Sequence, residues 1–169
     1  MPKRKTTVAA KPPARNDALW DFACALYARP GVANACLSLQ DKYGADVPLL
    51  LAALWHGATG RGVLSAARAK RWRRTARTWR TGIVGKLREA RRALKTHEAA
   101  ADLYAAVKRA ELAAEKLQLD ALERDAAARA TRPPRTRSAD ARTNAPIVLQ
   151  RGKNAAPLRK IFSALREAP

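Results

Sequence analysis

Apolar residues recur at helical spacing along almost all of residues 17–128, and no segment of the chain alternates apolar and polar residues as a strand does. The stretch 32–43 is representative, because its apolar residues stand at i, i+3, i+4 and i+7 and so share one helix face. A chain without strand periodicity builds its core by packing helices on helices. The sequence therefore predicts an all-α fold.

In the first part of this region, residues that cap or break helices divide the chain into three short helices. A helix that starts near Asp17 must stop at Pro30 and the glycine after it, and Gly44 closes the next helix. Asp46 can cap a third helix, with Pro48 in the first turn, where its missing N–H costs little. This third helix is apolar around its whole circumference, so we expect it to lie at the centre.

Two long helices follow, over 66–95 with Ser65 as its cap and over 97–126 with Thr96 as its cap. Each would reach about 45 Å at 1.5 Å per residue, which favours an antiparallel hairpin and, in all, a five-helix bundle. The second long helix carries apolar residues at alternating four-three spacing, a seam that a partner helix could approach closely. The seam consists of Leu103, Val107, Ala110, Ala114, Leu117 and Ala121.

The positive charge is concentrated in the two tails and in the first long helix. The formal net charge is +20, from 34 basic and 14 acidic residues, and a charge of this size favours polyanionic partners. Residues 1–16 carry five basic residues and no acidic one, and we predict a disordered arm there. We predict a helical domain at 17–128, a disordered linker rich in arginine and proline at 129–156, and a short amphipathic basic helix at 157–167.

The last of these segments places four apolar residues on one helical face, namely Leu158, Ile161, Phe162 and Leu165. So short a helix is marginal alone in water and needs a surface to dock on. It could fold back on its own bundle, dock on another protein, or lie on a membrane surface, and we expect the membrane to be the least favoured of the three.

The stretch 68–80 packs seven basic residues and two tryptophans into thirteen positions. On a helical wheel Trp72 and Trp79 share a face with Ala76 and Ile83, which predicts that the tryptophans belong to the core. Six basic residues flank and oppose that face: Lys70, Arg71, Arg73, Arg74, Arg77 and Arg80. They form either a solvated face or a ridge that contacts nucleic-acid phosphates without distinguishing sequence.

Few residues are candidates for a catalytic, ligand-binding or metal-binding site. A small-ligand or enzyme site could be built around Gln40, Trp55 and His56, although a histidine at a helix end more often has a structural role. Cys24 and Cys36 lie on apolar helical faces and are expected to be buried, reduced thiols. The sequence predicts no catalytic residue, no metal site and no cofactor.

Several short motifs in residues 19–124 resemble a small bacterial, all-helical family of unknown function. They fall on Trp20, Phe22, Leu26, Tyr27, Pro30, Gly31, Val32, Ala35, Cys36, Leu37, Leu39, Gln40, Asp41, Leu54 and Trp55. The chain departs from the family pattern at Pro48, where the family has asparagine, and at Lys86, where it often has proline. The resemblance implies a cytoplasmic helical protein and brings no catalytic residue or cofactor with it.

The leading functional hypothesis is a non-enzymatic interaction module that binds an unidentified protein and has auxiliary electrostatic binding to RNA, DNA or another polyanion. The alternatives are a dedicated nucleic-acid-binding protein that uses the 68–80 face, and a small-ligand protein or enzyme. Residues 1–16 lack the apolar core of a secretion signal, and the longest apolar run, 47–55, is too short to span a membrane. We therefore expect a cytoplasmic location.

Overall fold

The computed structural model describes residues 18–126, 134–149 and 155–166, and these residues form helices and no strand. The α-helices are α1 (Leu19–Tyr27), α2 (Val32–Tyr43), α3 (Val47–Ala58), α4 (Ala66–Trp79), α5 (Gly85–Leu94), α6 (Ala101–Asp125), α7 (Pro134–Val148) and α8 (Ala156–Arg166). A π-helical stretch at Arg80–Val84 joins α4 to α5, and a 3-10 turn at Glu98–Ala100 precedes α6. The all-α prediction is confirmed.

The centre of the fold is α3, as its sequence predicts. Every residue of this helix from Pro48 to Gly57 is buried. Its N-terminus is capped by Asp46, whose carboxylate accepts a hydrogen bond of 2.9 Å from the backbone N–H of Leu49. Since α1, α2, α4, α6 and α7 all contact α3, its apolar circumference is the surface on which the remaining helices assemble.

The first predicted long helix is continuous from residue 66 to residue 94, because the π-helical stretch links α4 and α5 without a break. The backbone N–H of Gly85 bonds to the carbonyl of Arg80, five residues back, which inserts one extra residue into the turn. That insertion rotates the helix face, so Val84 is buried while Ile83 is 48% exposed. The placement of Ile83 on the tryptophan face was therefore wrong.

The hairpin of α5 and α6 is antiparallel, and ion pairs link its two helices. Arg88 bonds to Glu111 at 2.9 Å and to Glu115 at 2.6 Å, while Arg91 bonds to the other oxygen of Glu111. Burial opposes the ionisation of Glu111, but the two arginines outweigh it and lower its pKa. Helix α6 begins at Ala101 after the 3-10 turn and has no side-chain cap, so the helix start predicted at residue 97 was wrong.

The segment predicted to be a disordered linker contains α7, so the prediction for 134–148 was wrong. This helix packs on α3 at very close range, because Gly57 has no side chain to hold the two apart. Ala141 and Ala145 of α7 are buried in the common core. The fold thus has seven helices among the described residues, counting 66–94 as one, where the sequence predicted a bundle of five and a separate short helix at 157–167.

Helix α8 packs mainly on α2 of its own chain. Leu158, Ile161 and Leu165 are buried in the main core, and Phe162 is half-buried against it. The guanidinium of Arg29 donates a 3.0 Å hydrogen bond to the carbonyl of Ala164. Of the three alternatives for this segment, the structure therefore favours folding back on its own bundle.

None of the helices in the described part of the chain combines the length and the apolar character needed to cross a membrane. The arm predicted at 1–16 and the rest of the predicted linker, at 129–133 and 150–154, lie outside the described residues.

Candidate functional site

The three residues of the predicted pocket, Gln40, Trp55 and His56, do not come together around one cavity. Gln40 lines a surface depression beside Arg80, whereas Trp55 lines a different one beneath Arg61, whose guanidinium stacks 4.0 Å from the indole centre. The Gln40 side chain is half-buried, and Trp55 is almost completely buried.

His56 is buried, and both of its ring nitrogens have partners within the chain. Its Nδ1 lies 3.0 Å from the carbonyl oxygen of Gly62, and its Nε2 lies 3.2 Å from Nη1 of Arg68. Because arginine can only donate, Nε2 accepts and the proton of the neutral ring is on Nδ1. The ring also packs edge-on against Trp72, with 5.7 Å between ring centres. A histidine held in this way has no nitrogen left for a substrate.

Burial lowers the pKa of His56, and the neighbouring Arg68 and Arg61 lower it further. A folded-state pKa below the ordinary 6.5 means that the unfolded chain binds the proton more readily. We therefore expect the free energy of unfolding, measured by urea titration, to fall as the pH drops from about 8 to about 6. This dependence should be weaker in His56→Gln, and the exposed His97→Gln is the control. An identical pH dependence in His56→Gln would contradict the assignment.

Asp125 joins the two long helices at a point where the sequence gives no signal. Its carboxylate accepts a 2.8 Å hydrogen bond from the indole of Trp72 and bonds of 3.0 and 3.2 Å from Arg71, and Arg68 lies 3.6 Å away. The hydrogen bond from Arg71 is the main reason that the pKa of Asp125 is lowered. Trp72 is thus a core residue, as predicted, and Trp79 is half-buried.

The six basic residues predicted to form a ridge divide into two groups. Arg71 is held by Asp125, whereas Arg73 donates to the carbonyl of Ile147 at 2.7 Å and Arg80 donates to that of Gly44 at 3.1 Å. Those two carbonyls stand at the C-terminal ends of α7 and α2, where unpaired acceptors and the helix dipole favour a cation. These three arginines therefore hold helices together.

The second group, Lys70, Arg74 and Arg77, is exposed. No hydrogen bond or ion pair engages these side chains within the described parts of the chain. Lys70 lies four positions before Arg74, which lies three positions before Arg77, so the three side chains follow one another along one face of α4. This face points away from the buried Trp72 and Ala76. We call these three residues the free basic ridge.

A surface depression of about 250 Å³ adjoins this ridge. Its lining includes Arg73, Arg77 and Arg80 of the long helix, Tyr43 of α2 and Val148 of α7. Arg77 is the residue of the free basic ridge that also lines the depression, so a ligand seated there would contact the ridge.

The two cysteines are unpaired, and their surroundings differ. Cys36 is buried, and burial raises the pKa of its thiol to about 12, whereas Cys24 is exposed, contrary to the prediction. The described residues contain no group of three or more His, Cys, Asp or Glu side chains that could hold a metal ion.

Comparison with known proteins places the chain in a family without an assigned function. The model of the family described as "Protein of unknown function (DUF2390)" matches residues 18–122, which is more than half of the chain. No curated protein and no solved structure matches. The matched region covers α1 to α5 and most of α6, while α7 and α8, which complete the core, lie beyond it. The chain belongs to this family of unknown function.

Proposed function

We propose that this chain is a non-enzymatic binding module that attaches to the phosphate backbone of nucleic acid through the free basic ridge. The observation that carries the proposal is that the basic residues of α4 and the π-helical stretch fall into two groups, one bonded within the chain and one not. One group bonds to other helices and consists of Arg71, Arg73 and Arg80. The other group is exposed and makes no such bond among the described residues; it consists of Lys70, Arg74 and Arg77.

The surroundings of the ridge support this proposal. Residues 61–95 contain thirteen basic residues and a single acidic one, so little negative charge competes for the ridge. Three cations on successive turns of one helix rise by about 1.5 Å per residue, so they span roughly 10 Å. This length covers a few phosphates along a nucleic-acid strand, and phosphate contacts of this kind position a protein without selecting a sequence.

The hypothesis of a protein partner at the C-terminal segment has less support. The apolar face that would dock on a partner, Leu158, Ile161 and Leu165, is buried on this chain's own bundle. The proposed module is cytoplasmic, because nucleic acid is accessible there and because the two free thiols stay reduced in that compartment.

The triple variant Lys70→Gln, Arg74→Gln, Arg77→Gln tests the proposal. We expect affinity for a fluorescent DNA or RNA duplex to fall by roughly tenfold or more near physiological salt, and to fall equally for unrelated sequences. The slope of log affinity against log salt should decrease by about 2 to 3, since up to three phosphate contacts are removed. Fluorescence anisotropy across a salt series measures both quantities.

The control is Lys42→Gln, Lys95→Gln, Lys108→Gln, which removes the same charge at exposed positions that neither belong to the ridge nor line the depression beside it. Equal losses in the two triple variants would mean that net charge alone drives binding, and the proposal would then fail. The full chain is needed, because truncation after residue 128 would remove α7 and α8 from the core.

A further inference from the structure

The apolar seam predicted on α6 is divided by the structure into two faces. Val107 and Ala121 are half-buried and Ala114 is buried, so these three residues face the chain's own bundle. The other three turn to solvent, with Leu103 55% exposed, Leu117 53% exposed and Ala110 also exposed.

Two further alanines extend this exposed side. On α6 the exposed apolar residues at alternating three-four spacing are Leu103, Ala106, Ala110, Ala113 and Leu117. We call them the outer stripe. It covers fifteen residues of helix, about 21 Å at 1.5 Å per residue, with a leucine at each end and alanines between them. Alternating three-four spacing is the pattern by which one helix packs along another, and alanines allow two helix axes to approach closely.

We propose that the outer stripe binds the outer stripe of a second copy of this chain, with the two α6 helices antiparallel about a two-fold axis near Ala110. The stripe is nearly symmetrical about that point, since Leu103 and Leu117 each lie seven residues from it. An isologous contact requires such self-complementarity, and here the end leucine of one helix meets the opposite end leucine of the other.

The charges beside the stripe favour a second copy in this orientation. Asp102, Arg109 and Lys116 follow one another at seven-residue spacing along one edge, and all three are exposed. In an antiparallel pair this edge faces its own copy in reverse order. Lys116 bonds to Asp120 of its own helix at 3.0 Å, and in the antiparallel pair Asp102 of the other helix lies beside the same ammonium group, so each Lys116 contacts two carboxylates.

A parallel pair would lack these contacts. In a parallel pair this charged edge would face the opposite edge of the partner's stripe, where Val107 and Ala114 carry no charge.

In the antiparallel pair the two Arg109 residues meet near the two-fold axis, and their repulsion opposes association. The arrangement therefore predicts opposite effects for removing different charges on the same edge.

The first test is sedimentation equilibrium of the full chain from about 1 to 200 µM. We expect the average mass to rise towards that of two chains. The double variant Leu103→Glu, Leu117→Glu should weaken self-association roughly tenfold or more. The control is Leu112→Glu, because Leu112 is equally exposed, at 54%, but points to the side of α6 opposite the stripe.

Charge exchange tests the orientation. Asp102→Lys and Lys116→Asp should each weaken the dimer, and the two combined with Asp120→Lys should restore it, because the contacts among these three side chains are then rebuilt with their charges exchanged. Arg109→Ala should strengthen it. Circular dichroism checks that each variant stays helical. A chain that remains monomeric up to the highest concentration, or a dimer that responds to Leu112→Glu as strongly as to the double variant, would overturn the proposal. This inference does not rest on the proposed nucleic-acid binding, and either can fail without the other.

Discussion

Gly57→Ala should destabilise this protein by about 3 kcal/mol or more, a large fraction of the stability of a domain of this size. Gly57 lies where the backbone of α7 approaches α3 closely. A β-carbon at this position would overlap the backbone of Asp140 and Ala141. Backbone cannot rotate away as a side chain can, so the two helices would have to separate along their contact. Ala141 and Ala145 would then lose their place in the core.

The matched control is Gly82→Ala, the same substitution at the glycine of the π-helical stretch Arg80–Val84. Apart from its chain neighbours and the nearby backbone of its own helix, a β-carbon at Gly82 would meet no atom of the described residues within 4 Å. With no steric cost, alanine should stabilise the protein by about 0.4 to 1 kcal/mol, because it restricts the unfolded chain more than glycine does. Urea unfolding followed by circular dichroism measures both variants. If the two substitutions change stability in the same direction, the close contact between α3 and α7 is not as described.

The features that the sequence predicts correctly are local ones. The caps are examples, because Asp46 bonds to the N–H of Leu49 at 2.9 Å and Ser65 bonds to that of Arg68 at 3.2 Å, three residues away in each case. The central position of α3 and the burial of Trp72 also follow from the distribution of apolar residues within a single helix. Such features need no knowledge of the other helices.

Helix α7 could not be predicted in this way, because its own composition argues against it. Residues 134–148 include Pro134, Pro146 and several polar or charged residues, a composition typical of disordered segments. What stabilises the helix lies elsewhere in the chain. The glycine of α3 permits close approach, and Arg73 bonds to the carbonyl of Ile147 near its C-terminal end. Tertiary contacts here override local propensity.

The same limit applies to the basic residues of the long helix. The wheel separates Lys70, Arg74 and Arg77 from the tryptophan face, but it does not separate them from Arg73 and Arg80. The difference lies in the carbonyls of Ile147 and Gly44, which are 74 and 36 residues away along the chain. Sequence can therefore identify a basic face, whereas only the fold shows which of its cations remain free for a ligand.

Asn144→Leu should cost about 2 to 4 kcal/mol of unfolding free energy, although leucine has a similar size and suits a buried site. The Asn144 side chain is completely buried on α7 and holds the loop that follows α3. Its Oδ1 accepts a 2.7 Å hydrogen bond from the N–H of Leu64, and its Nδ2 donates one of 2.9 Å to the carbonyl of Gly62. Leucine would leave the N–H of Leu64 buried without a partner, while Gly62 would keep its bond from His56.

Two further variants separate this hydrogen-bond effect from a general sensitivity of α7. Thr143→Ala, at the exposed neighbouring position, removes only a bond to the carbonyl of Ala139 and should change stability by less than about 0.5 kcal/mol. Asn144→Asp keeps an acceptor for Leu64 but places a carboxylate against the carbonyl of Gly62. Repulsion and burial both disfavour its ionised form, so the variant should become more stable, relative to the parent chain, as the pH falls and the carboxyl group binds a proton. If Asn144→Asp instead gained stability with rising pH, or if Thr143→Ala cost as much as Asn144→Leu, the buried amide would not be what holds α7 to the loop. The expected pattern would mean that a helix outside the family match is fixed by a specific polar contact as well as by apolar packing.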